Sequence, residues 1–160
     1  MKIWILLLLI LISPVVFAET YTLYFIRHAE KDLSTKTDPA LTKQGMATAQ
    51  RLKQFMSDKP LSIVYSSDYK RTRATAQPVA DQKKLELNIY NPRELASLAK
   101  TLTTAKKNAL IVGHSNTTPE IVALVGGRSK PITDEEYGEV FIVTINSESN
   151  TTETSYHQLN

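Results

Sequence analysis

Thr22-Leu23-Tyr24-Phe25-Ile26 runs directly into Arg27-His28-Ala29-Glu30, and the reading of the whole chain turns on this junction. The first five residues form a short apolar run that predicts a strand. The polar tetrad then predicts that the strand delivers His28, with charge on either side, at its carboxyl end. In open α/β sheets that edge is where ligands bind.

Working outward, strand and helix signals alternate. A polar, turn-rich segment at 31–40 leads to Thr42, which predicts an N-cap for a helix with Met46, Ala49, Leu52, Phe55 and Met56 on one face. A second strand is predicted at 61–65, followed by a helix at 69–84 that Pro78 should kink or restart. A short strand at 85–90 precedes a helix opened by Pro92 and running to about Leu102. The run 109–112 predicts a buried strand, Pro119 the start of a helix closed by Gly126-Gly127, and 140–145 with 155–159 an antiparallel hairpin. Strands that alternate with helices predict an α/β fold. The continuous apolar runs fit parallel strands covered on both faces. The expected architecture is a single three-layer domain, with a mostly parallel sheet, an antiparallel C-terminal edge and helices on both faces.

Composition sets the outer bounds. The chain has 160 residues, 42% hydrophobic and 22% charged, ordinary for one globular domain. A net charge of +3, with acidic residues mixed among basic ones and no Lys/Arg block, gives no footprint for nucleic acid. The absence of cysteine excludes disulfides, thiolate zinc sites and a cysteine nucleophile. At the N-terminus, Lys2 precedes an apolar run at 3–12, then Ser13-Pro14 and Val15-Val16-Phe17-Ala18. Val16 and Ala18 fit a signal-peptidase site, so residues 1–18 are read as a signal peptide and 19–160 as the mature domain. The rival reading is an uncleaved anchor. Pro14 breaks the stretch, which falls short of the ~20 residues that span a bilayer. Cleavage after Ala18 predicts an exported, periplasmic protein with no stable membrane span, and the compact signal without cysteine points to a bacterial source.

The second histidine sharpens the first. Ala109-Leu110-Ile111-Val112 ends in Gly113-His114-Ser115-Asn116, so two strands deliver a His to the same sheet edge. The second strand ends in Ser66-Ser67-Asp68, before a helix with Arg71 in its first turn and Arg73 after it. A helix N-terminus at that edge favours an anion, and Arg71 would add a bidentate phosphate contact. Taken alone, Arg73 fits a solvated helix face equally well.

These residues resemble the histidine phosphatase superfamily, which includes the phosphoglycerate mutases. Its Arg-His-Gly-Glu hallmark corresponds to Arg27-His28-Ala29-Glu30, and its Leu-Thr-x-x-Gly-x-x-x-Ala segment to Leu41 through Ala49. Its Ser-x-x-x-Arg-x-x-x-Thr-Ala pattern corresponds to Ser67 through Ala76, and its Gly-His-Ser to Gly113-His114-Ser115. All four occur in family order. The resemblance implies that His28 attacks phosphorus and becomes phosphohistidine, while Arg27, Arg71 and His114 surround the phosphoryl oxygens without a metal or other cofactor. For that, His28 must be neutral, with one ring nitrogen free and the other donating to a backbone carbonyl.

The general acid for the leaving oxygen is expected at Glu94, with Glu30 and Glu120 as rivals; Glu94 also fits a helix N-terminal carboxylate. Glu30, Asn116 and Arg73 are candidate substrate ligands. Ala29 replaces the family's usual Gly, which the loop tolerates if its φ is negative. The Asn that mutases often carry just after the hallmark is absent from 32–37, which argues for hydrolysis over mutase chemistry. The expected activity is hydrolysis of small phosphomonoesters. The alternatives are a phosphohistidine protein phosphatase and a phosphate-binding module without turnover. Specificity is expected to reside in 31–40, 91–97 and 128–138, which carry no readable code.

Overall fold

Strand β1 (Thr20–Arg27) shows why the chain forms layers: Leu23 and Phe25 point to one face of the sheet, and Tyr24 and Ile26 to the other. This computed structural model describes residues 20–160; the expected signal segment, 1–18, lies outside the described residues. The elements that follow are α1 (Lys43–Phe55), β2 (Ile63–Ser67), α2 (Lys70–Lys83), β3 (Leu87–Tyr90) and α3 (Leu95–Ala105). The chain closes with β4 (Ala109–Gly113), α4 (Thr117–Leu124), β5 (Glu139–Asn146) and β6 (Thr151–Gln158).

The six strands form one mixed sheet in the order β3-β2-β4-β1-β5-β6. Pairings among β3, β2, β4 and β1 are parallel, and β5 and β6 continue the sheet antiparallel. On one face Tyr24, Ile26, Val64, Leu110 and Val112 pack against Leu52 of α1, Met56 at its C-cap and Val79 of α2. On the other, Leu23, Phe25, Ile111 and Phe141 pack against Leu98 and Leu102 of α3 and Ile121 of α4. Each face buries a contiguous apolar set, which is the main force holding the three layers together.

Several boundaries differ from the sequence expectation. The second strand runs two residues further, through Ser66 and Ser67, because both hydroxyls are satisfied inside: Ser66 donates to the Ser67 carbonyl, and Ser67 to Thr72. The third begins at Leu87 because Lys84, at φ 55°, ends α2 in the left-handed conformation and Leu85 N–H returns to the Ala80 carbonyl as part of the cap. Helix α3 starts at Leu95 rather than Pro92, and α4 starts at Thr117, with Pro119 inside its first turn, where a missing N–H costs nothing. Pro78 lies within α2 without dividing it; Ala74, whose carbonyl loses the bond, is exposed to water. Strand β6 takes in the polar stretch from Thr151, as an exposed edge strand can.

Candidate active site

The carboxyl ends of β1, β4 and β2 lie side by side, and each contributes to one cluster. The β1–β4 ladder ends with Arg27 opposite Gly113, and His28 N–H adds one more bond to the Gly113 carbonyl at 2.8 Å. This fixes the backbone of His28, whose side chain is buried at 3% exposure. Its Nδ1 lies 2.8 Å from the Ala29 carbonyl oxygen. A carbonyl can only accept, so Nδ1 carries the proton and Nε2 keeps its lone pair. Burial is the largest influence on its pKa and pushes it down to about 3; the Ala29 bond opposes this, and Arg71, His114 and Arg27 push further down. His28 is therefore neutral at ordinary pH. Ala29 is buried and has no positive φ, so the alanine is accommodated without strain.

His114 stands beside it, with ring centroids 5.5 Å apart and planes at 70°. Its Nδ1 lies 3.4 Å from Nη2 of Arg71, and its Nε2 lies 2.9 Å from Ser67 Oγ. Because a guanidinium only donates, Nδ1 is the acceptor and Nε2–H donates to Ser67. The chain then runs onward: Ser67 donates to Thr72 Oγ1 at 3.1 Å, and Thr72 donates to the Ser67 carbonyl at 2.8 Å. Burial, then the charges of Arg71, Arg27 and Lys31, lower the His114 pKa to about 4. The Tyr69 ring meets His114 edge-on at 4.9 Å and carries the Arg71 guanidinium 4.6 Å above its centroid.

Two arginines flank the pair, held in different ways. Arg71 Nη1 lies 3.7 Å from Asp38 Oδ1, and the same Oδ1 accepts Lys70 N–H at 3.0 Å. A carboxylate from the 31–40 loop thus caps α2, whose N-cap residue, Tyr69, makes no side-chain capping bond. Arg27, 3% exposed, donates through Nη1 to the carbonyls of Thr133 and Glu136, both at 2.8 Å, and its Cζ lies 4.1 Å over the Tyr137 ring. Arg27 therefore also pins the 133–137 loop, a task its place in the hallmark did not announce. Nε of Arg27 and Nε of Arg71 are both buried without a partner. Two orphan donors on cations beside a neutral imidazole pair form a site suited to a tetrahedral oxyanion.

The other candidates are dispersed. Glu30 turns toward α1, where Oε1 accepts from Thr48 at 3.2 Å and Thr48 in turn accepts from Arg51 at 2.8 Å. Glu94 is exposed, and its partner is Asn91 Nδ2 at 3.0 Å, not a member of the histidine pair. Asn116 and Glu120 are exposed at the start of α4. Arg73 pairs with Asp68 on the surface of α2. No group of three or more His, Asp or Glu that could hold a metal ion occurs among the described residues. Sequence reasoning missed Tyr69, Asp38, Tyr137 and the role of Ser67 as partner to His114; only Ser67 carried a signal, as the first residue of its pattern.

Residues 23–96 match the histidine phosphatase superfamily, branch 1. That stretch carries three of the four motifs, and His114 lies beyond it. Phosphoserine phosphatase 1 of Hydrogenobacter thermophilus is 37% identical over 71 residues, which span 41% of this chain and 34% of that protein. A second curated relative is spanned over 51% of its length, so the chain covers between about a third and a half of the curated relatives it matches. The protein histidine phosphatase SixA, solved with tungstate, superposes with a TM-score of 0.67 at 16% identity, covering 85% of this chain and 94% of that one. The α-ribazole phosphatase of Shigella flexneri gives 0.67 at 17% identity, covering 87% and 96%. At such identities the structural likeness speaks for the fold: this is the phosphoglycerate mutase-like architecture of histidine phosphatases.

Proposed function

We propose that this chain is a metal-independent phosphatase that hydrolyses phosphomonoesters through a phosphohistidine on His28. The observation that carries the reading is the state of His28: neutral, fixed through Nδ1, with its Nε2 lone pair available beside two arginines. In the first step Nε2 attacks phosphorus, the P–O bond to the leaving group breaks, and the leaving oxygen takes a proton. In the second, water attacks phosphorus, the P–N bond breaks, and phosphate departs with the water-derived oxygen while the water proton is released. Arg27, Arg71 and His114 stabilise the charge on the phosphoryl oxygens. Glu30, Asn116 and Arg73 remain proposed substrate contacts and Glu94 the proposed acid, although the Glu94–Asn91 bond would have to open for Glu94 to reach a substrate. Export to the periplasm, with residues 1–18 removed, belongs to the same proposal.

A second reading has its own support. The exposed position of Glu94 favours substrates whose leaving group needs little acid assistance, such as the phosphoramidate of phosphohistidine. The deciding experiment is hydrolysis of p-nitrophenyl phosphate in excess EDTA, comparing the wild type with His28→Ala. We expect EDTA-resistant turnover that disappears in the variant. Activity that survives the substitution, or that requires added metal, would overturn the mechanism, and no turnover of any phosphorylated substrate would favour the binding module.

A further inference from the structure

The loop that follows His28 is strapped at both ends. Lys31 and Leu41 form an antiparallel bridge, Asp32 N–H donates to the Ala40 carbonyl at 2.9 Å, and Asp38 docks the far limb on the start of α2. Between this loop and α2 lies a cleft of about 410 Å³, whose lining includes Lys31, Lys36, Asp32, Asp38, Tyr69 and Arg71. Arg71 joins the cleft to the histidine pair, and Lys31 lies close enough for its charge to act on His114.

The charges in the cleft are not equally committed. Asp38 is engaged by Lys70 N–H and Arg71. Asp32 accepts Ser34 N–H at 2.9 Å, and the Ser34 side chain, with this N–H after it, holds the Asp32 carboxyl below the usual range. Both carboxylates thus have internal partners, whereas Lys31 and Lys36 add two positive charges to a cleft that already has Arg71 for a phosphoryl group. A single phosphoryl group at His28 does not call for them. We propose that this cleft takes the leaving-group part of the substrate, and that Lys31 and Lys36 bind a second anionic group on it, a carboxylate or a second phosphate. The assignment rests on the phosphoryl group sitting at His28 as described above. It narrows the substrate class to phosphorylated compounds with two separated anions, and it places selectivity in two side chains outside the hallmark motifs.

The test uses ligands that cannot be hydrolysed. Binding of phosphonopropionate and of propylphosphonate, which differ in a carboxylate against a methyl group, is measured by calorimetry at low salt. The wild type is expected to prefer phosphonopropionate about tenfold, the order expected if two partly exposed ion pairs contribute together. The preference should shrink at high salt as screening rises. In Lys31→Ala/Lys36→Ala the ratio should fall to about one, and Lys31→Arg/Lys36→Arg should restore it. Propylene bisphosphonate, run in parallel, tells whether a phosphate or a carboxylate is the better second anion. Equal binding of the two monophosphonates by the wild type, or a preference unchanged in the double alanine variant, overturns the proposal. Turnover of p-nitrophenyl phosphate is read separately. A protein that selects the second anion but turns nothing over keeps the clamp and loses the phosphatase. One that hydrolyses p-nitrophenyl phosphate without regard to the second anion keeps the phosphatase and loses the clamp.

Discussion

Ser67 is completely buried, and its hydroxyl is the link between His114 and the interior of α2. By accepting from Nε2–H it holds the His114 tautomer that presents Nδ1 toward Arg71. Ser67→Ala removes that acceptor and leaves a partly buried N–H unpaired, a loss of about 1 kcal/mol or more. We expect kcat to fall about tenfold or more with the fold intact, read from steady-state kinetics beside circular dichroism. The same scale separates the two readings of Glu94. If Glu94 protonates the leaving oxygen, Glu94→Gln should slow hydrolysis of alkyl phosphates at least tenfold. p-Nitrophenyl phosphate, whose phenolate leaves readily, should be nearly unaffected. Rates unchanged from the wild type on both substrates would show that Glu94 is only the N-cap residue of α3 bonded to Asn91.

At the scale of elements, α1 is seated against the hallmark loop through a glycine. A side chain at Gly45 would place Cβ inside van der Waals contact with the Glu30 carbonyl oxygen, a backbone atom that cannot swing away. That carbonyl also accepts Thr42 N–H at 2.9 Å, while Thr42 Oγ1 caps α1 at Gly45 N–H. Helix start and hallmark loop are therefore one joint. Gly45→Ala should push them apart, at a cost of about 1–3 kcal/mol, and lower turnover by displacing residues 28–30. Chemical denaturation and kinetics on the same preparation check both. The Leu41–Ala49 pattern made this helix legible in the sequence, through the Thr42 cap and the apolar spacing. The reason for its glycine was not, because the atom it avoids belongs to another segment.

The whole molecule carries two neutral histidines, His28 buried and His114 half-buried, and this couples stability to pH. Burial lowers the folded-state pKa to about 3 for His28 and about 4 for His114, whereas the unfolded chain titrates near the ordinary histidine value of about 6.5. Between those limits the unfolded state binds more protons, so stability rises with pH there and is lost as pH falls. Between pH ~6 and its folded-state value His28 should contribute a slope approaching ~1.4 kcal/mol per pH unit, the more exposed and better screened His114 a smaller one, and neither any above pH ~7.5. Denaturation midpoints measured from pH 7.5 down to 4.5 should show this decline, and His28→Asn or His114→Asn should flatten it. A profile unchanged by both substitutions would mean that other groups carry the dependence.

The sequence by itself determined the α/β alternation, the apolar faces and the delivery of His28, His114 and Arg71 to one sheet edge. Such features are local: period, turn chemistry and the residue at the end of a strand are written within a few positions. Tertiary structure alone decided that Arg27 grips the 133–137 loop, that Asp38 caps α2 beside Arg71, that Glu30 turns to α1 and that Glu94 stands apart. The Asp38 and Arg27 contacts join residues from 32 to 110 positions apart, where no local pattern marks a partner. What brings them together is the packing of two helix layers onto one sheet, which sets the distance between strand ends and so determines which charges meet.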